Sequence, residues 1–170
     1  MDRDEILDAL RHVGQRLQQR GLVGELYVVG GAAMALAYNT RRSTRDIDAV
    51  FEPKREIYEA ARVVGEERSL DPDWLNDSVK GLLSGPDPYE TPIIELPGLR
   101  CLVASPQMLL ALKVLAHRAE SDADDVALLI KMLGLTTTDE VLDLAERLLA
   151  PRKLTITSQY FVEGIMADGQ

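Results

Sequence analysis

The sequence predicts an α/β (α+β) fold: a short mixed sheet packed by helices, followed by a C-terminal helical cluster. Three observations predict it. The run "ELYVVGGAAMALAY" (25–38) passes from β-rich residues through a glycine pair into strong helix formers. "DIDAVF" (46–51) reads as a second strand, apolar apart from its two acids. Beyond residue 105, apolar residues recur at helical spacing between capping residues. With 170 residues, the chain suits one compact unit, a sheet core over 1–104 and a helical part over 105–170.

The elements follow in order. Ile6, Leu7, Leu10, Val13 and Leu17 predict an amphipathic helix over 3–20, closed by Gly21. Residues 25–29 predict a buried strand running into Gly30 and Gly31, and 32–38 a helix. In the strand 46–51, alternation would put Asp46 and Asp48 on one face and Ile47 on the other. Pro53 opens a helix that reaches about Gly65. Residues 69–90 are rich in Pro, Asp and Gly and predict a loop, with a helical turn over 74–80 and Trp74 as its anchor. "TPIIEL" and "LRCLVAS" flank Pro97-Gly98 as a strand pair, with Cys101 as a small core residue. Ser105-Pro106 caps a helix, a second helix spans 124–133, Thr138 caps a third, and the tail forms a short one.

Bulk composition narrows the function. Apolar residues at 46% supply a core, and no apolar run is long enough to span a bilayer. The acidic, amphipathic N-terminus is unlike a signal peptide, and a single cysteine allows no internal disulfide, so a cytoplasmic protein is the expectation. The net charge is -9, spread unevenly: residues 1–68 hold 11 Lys+Arg against 12 Asp+Glu, and 69–170 hold 8 against 16. An acidic chain must meet any polyanion locally, and Arg41, Arg42 and Arg45 form its densest cationic cluster.

The chemistry concentrates between Gly30 and Asp48. Two carboxylates at i and i+2 on one strand face stand about 6–7 Å apart at their bases and can converge on a hard cation. Mg²⁺ is held by one or two carboxylates plus substrate phosphates, and it neutralises a triphosphate and its leaving pyrophosphate. A glycine turn from strand to helix lets backbone N–H groups approach a phosphate. Each motif alone has a plain alternative: a tight turn for the glycines, solvated side chains for the acids, surface charge for the arginines. Lys113, within "LLALKVLA", either snorkels to solvent or works in a site, and His117 four residues on is read as structural.

In order, "VGG" and then "DID" resemble the signature of the polymerase-β-like nucleotidyltransferases. The longer "GGAAMALAYNTRRSTRDID" resembles small bacterial nucleotidyltransferases of the abortive-infection (AbiEii-like) and toxin–antitoxin type. "SPQMLLALKVLAHRAESDADDVALLIKML" is similar to their downstream helix pair, and the likeness covers about 25–52 and 101–133. It implies NMP transfer from an Mg²⁺-bound NTP such as ATP to an acceptor hydroxyl. Asp46 and Asp48 would hold metal, and Gly30, Gly31, Arg42, Thr44 and Arg118 would bind the nucleotide. Lys113, Asp122 and Asp125 would complete the catalytic set, with Lys113 on phosphate. The family often adds a third carboxylate from a neighbouring strand, for which Glu95 in "TPIIEL" is the candidate here. Asp122 and Asp125, at i and i+3, equally suit the acidic bias of a helix start. The resemblance further implies an RNA acceptor such as the 3′ end of tRNA, and a toxin with an antitoxin partner. Two alternatives stay open: a small cationic acceptor such as an aminoglycoside, drawn by the acidic second half, or a nucleotide-binding or interaction domain with an incomplete site.

Overall fold

The computed structural model describes residues 1–39 and 42–169. It divides into two compact units, residues 1–80 with 91–104, and residues 81–90 with 105–170. Residues 81–90 thus group with the helices, although two strands follow them in sequence.

The first unit opens with helix α1 (Arg3–Gln19), closed at its start by a capping box in which Asp2 accepts from the Glu5 N–H and Glu5 accepts from the Asp2 N–H. Its buried stripe is Ile6, Ala9, Leu10, Val13, Gly14 and Leu17, while Leu7 is only half-buried. Strand β1 (Gly24–Val28) is followed by a four-residue helix α2 (Gly30–Ala33) and a π-helical turn, Met34–Tyr38. A single α-helix is expected from 32–38. Instead the last turn widens, and the Asn39 N–H reaches back to the Met34 carbonyl at 2.7 Å. Strand β2 (Ile47–Glu52) leads into helix α3 (Lys54–Arg68), which outruns the expected end at Gly65. Strand β3 (Leu75–Asn76) and a 3-10 turn (Ser78–Gly81) occupy the expected loop. Strands β4 (Ile93–Leu96) and β5 (Leu99–Val103) form the expected hairpin.

The sheet order is β3-β2-β1-β5-β4. It is mixed: β1 runs antiparallel to β2 and parallel to β5, and β2 runs parallel to β3. Ile47, Ala49 and Phe51 alternate into the core on β2, so Asp48 and Val50 occupy its other, half-exposed face. Trp74 fixes the start of β3. Its ring is fully buried, its indole N–H donates to the Ala61 carbonyl at 2.9 Å, and its own carbonyl accepts from the Ile47 N–H at 2.6 Å.

The second unit holds helices α4 (Pro106–Ala116), α5 (Ala119–Leu133), α6 (Thr138–Leu149) and α7 (Ile156–Asp168). Ser105 caps α4 by accepting from the Met108 N–H at 3.1 Å, with Pro106 in the first turn. Helix α5 begins at Ala119, earlier than the expected 124. Its opening "AESDA" lacks apolar periodicity but places Glu120 and Asp122 where the positive helix end favours them. The cap of α6 is Thr137, in a capping box with Glu140, rather than Thr138.

Candidate active site

The glycine pair and the second acid of D-x-D meet in the first unit. Gly30 has φ +65°, in the left-handed region that a Cβ disfavours, and a Cβ there would lie 3.3 Å from Asp48 Oδ2. A Cβ on Gly31 would lie 2.9 Å from Thr44 Oγ1. The left-handed backbone favours glycine at position 30, and the nearness of Asp48 and Thr44 crowds any side chain at 30 and 31. The backbone ties the same strands together, with the Val29 N–H donating to the Asp48 carbonyl at 2.9 Å.

Around this contact the other expected residues fall unevenly. Asp48 is half-buried on β2, whereas Asp46 is exposed and precedes the first strand residue, Ile47. Strand alternation therefore does not govern Asp46, because its backbone lies in the bend that leads into β2. Thr44 is half-buried, and its hydroxyl donates to the Asp46 carbonyl at 3.1 Å, bracing that bend. Arg42 is half-buried and its N–H donates to the Asn39 carbonyl at 2.9 Å, while Arg45 is exposed. Arg41 lies outside the described residues.

The structure does not bring Glu95 to this place. Its strand, β4, is the far edge of the sheet, with β5 and β1 between it and β2. At the usual strand spacing that separation is about 14 Å. Glu95 is exposed and pairs with Arg100 on the adjoining strand at 3.1 Å. Among the described residues no group of three His, Cys, Asp or Glu could hold a metal. Asp46 and Asp48 nonetheless offer hard oxygen donors of the kind Mg²⁺ takes when phosphates supply the remaining ligands. Asp48 is also half-buried, with one long hydrogen bond at Oδ1, 3.3 Å from Ser78 Oγ.

Asn76 and Ser78 are the neighbours that sequence reasoning missed. Asn76 pairs in register with Asp48 across β3 and β2. A two-residue strand carries no periodic signal, and "LNDS" reads as loop chemistry. Just beyond, Asp77 accepts from the Tyr58 hydroxyl at 2.7 Å and pairs with Lys54. Lys54, with Tyr58 beside it, holds the Asp77 carboxyl below the ordinary carboxylate range.

In the second unit, Lys113 neither snorkels nor faces solvent. Its ammonium is buried and lies 2.7 Å from Asp122 and 2.9 Å from Asp125, both buried. The cation expected on phosphate lies between two carboxylates of α5, the same pair expected beside it in the catalytic set. Arg118 is exposed where α5 begins, and its carbonyl accepts from the Asp122 N–H at 2.9 Å. His117 ends α4 with φ 40°, and its Nδ1 lies 3.3 Å from Ser158 Oγ, a structural placement. Cys101 is buried in β5, and loss of solvation pushes its thiol up to about 12. No helix among the described residues is long and apolar enough to cross a membrane.

A model of a family described as nucleotidyltransferase of unknown function (DUF6036) matches residues 5–150. No curated protein and no solved structure matches the chain.

Proposed function

The chain belongs to this nucleotidyltransferase family, and we propose that it moves an NMP from an NTP to an acceptor hydroxyl at the Gly30–Asp48 contact. The observation that supports this reading most directly is the approach of the Asp48 carboxylate to Gly30, where a Cβ would meet Oδ2 at 3.3 Å. It joins a glycine turn suited to phosphate with an acid suited to a divalent cation. In the reaction the acceptor oxygen bonds to the α-phosphorus as the α–β phosphoanhydride bond breaks. Pyrophosphate leaves with the electron pair, and the hydroxyl proton passes to solvent.

Asp46 and Asp48 are the residues that would hold Mg²⁺, which when bound offsets the triphosphate charge. Gly30 and Gly31 cradle the triphosphate, Thr44 braces the bend before β2, and Arg42 supplies a cation for the nucleotide. Lys113, Asp122 and Asp125 enter as a buried charged unit that fixes α4 to α5. The likeness of 25–52 and 101–133 to AbiEii-like proteins extends the proposal to an RNA end as acceptor, such as the 3′ end of tRNA. It also extends to a toxin role with an antitoxin partner. The net charge of -9 favours a second reading, a small cationic acceptor.

Incubation with each of four labelled NTPs, Mg²⁺ and total RNA tests both. Labelled RNA that disappears in Asp46→Ala and Asp48→Ala is the expected result. Label confined to small amines would favour the second acceptor, and labelling unaffected by Asp48→Ala would remove the assignment of the site.

A further inference from the structure

We propose that Ser78 is a positioning residue for the Asp48 carboxylate, on a turn held in place by Tyr58, Asp77 and Lys54. The inference rests on the reading of Asp48 as a metal-holding acid. Asp48 and Asn76 are register partners on neighbouring parallel strands, so their side chains stand on one face of the sheet. Ser78 then folds back beside both. Its Oγ lies 2.7 Å from Asn76 Oδ1 and 3.3 Å from Asp48 Oδ1.

A hydroxyl has one proton to give. Asn76 Oδ1 also accepts the Ser78 N–H at 3.1 Å, so it keeps a donor if the hydroxyl proton turns to Asp48. Ser78 can therefore set the rotation of an ionised Asp48 without stranding its other neighbour, and a bond to a charged acceptor is the stronger of the two. A carboxylate with a fixed rotation presents its other oxygen in one direction. That other oxygen, Oδ2, is the one against Gly30.

The turn bearing Ser78 is clamped through the residue between Asn76 and Ser78. Asp77 accepts the Tyr58 hydroxyl at 2.7 Å and the Lys54 ammonium, and the Asp77 N–H donates back to Tyr58 Oη at 3.2 Å. Tyr58 is itself seated edge-on against Phe51 of β2, with ring centroids 5.0 Å apart. Strand β2 thus carries Asp48 and, through Phe51 and Tyr58, braces the turn that orients it.

The test is a Mn²⁺ titration of the full chain with a saturating non-hydrolysable NTP analogue present, read by paramagnetic broadening of the Gly30, Gly31 and Ala49 amide signals. Ser78→Ala is expected to weaken Mn²⁺ about tenfold, and Ser78→Thr, which keeps the hydroxyl, to stay within about twofold of the parent. Tyr58→Phe, which removes only the clamping hydroxyl, is expected to weaken Mn²⁺ in the same direction by a smaller factor. Ser78 is exposed, so the Ala variant is expected to melt with the parent. If Ser78→Ala binds Mn²⁺ like the parent while Asp48→Ala loses it, the positioning role is overturned and the metal assignment survives. If Asp48→Ala also binds like the parent, or the parent's amides do not broaden, the metal assignment falls and this inference with it.

Discussion

At Gly30 a backbone angle and a side-chain contact impose the same requirement. An alanine there would enter the left-handed region at φ +65° and crowd Asp48 Oδ2 from 3.3 Å. The backbone effect alone is worth about 1–2 kcal/mol. Gly30→Ala is therefore expected to lower unfolding stability by that amount in denaturant titration. NMP transfer should fall further than the lost folded population explains, because the new methyl group displaces the carboxylate. Cys101 sits at the other extreme. Burial in β5 raises its thiol to about 12, so almost no thiolate forms at pH 8. Iodoacetamide is expected to leave it untouched in the folded chain and to alkylate it once denaturant unfolds the sheet. Rapid native-state labelling would show that β5 opens.

Among the elements, the pairing of α4 with α5 rests on a buried ion-pair cluster. Lys113 lies between Asp122 and Asp125, so removing the cation takes a positive charge away from two buried carboxylates. Lys113→Met is expected to cost about 3–5 kcal/mol, the range for breaking a buried ion pair, read as a lower midpoint in urea. Near the turn at β3 the effect depends on pH. The Asp77 carboxyl is held down by Lys54 and Tyr58, so its ionised form stabilises the fold above the unfolded value of about 3.9. That contribution disappears as pH falls through the lower folded value. The melting-temperature gap between Asp77→Asn and the parent should be widest at neutral pH and close below about pH 4. These elements also mark how far the sequence could be read. Gly-Gly and D-x-D located β1, the turn and β2, because glycine and alternating apolar residues have local signatures. Strand β3 had none, since two residues make no period and Trp74 pins it through distant carbonyl contacts. The start of Asp46 outside the strand was equally hidden, because a bend set by Thr44 leaves no mark in the alternation. Glu95 looked suitable by strand propensity, but only strand order reveals that it stands at the opposite edge.

On the scale of the whole molecule, charge decides between acceptors. With 19 Lys+Arg against 28 Asp+Glu, the chain repels polyanions except where cations gather. An RNA acceptor would have to be gripped near Arg42 and Arg45, together with Arg41, which lies outside the described residues. Three phosphate contacts to a single strand would cost roughly twentyfold in affinity between 50 and 200 mM salt. Arg45 is exposed, so its replacement by glutamine should leave the fold intact and remove one such contact. The expected outcome is a log–log salt slope shallower by about 0.7, with affinity lower at every salt concentration. A cationic acceptor predicts the opposite response. Losing a local positive charge would leave its apparent KM unchanged or lower it, because the attraction comes from the acids. Measuring apparent KM for RNA and for a small amine in the parent and Arg45→Gln, at two salt concentrations, separates the two. Only an RNA acceptor should show a higher KM in the variant together with a flatter salt dependence.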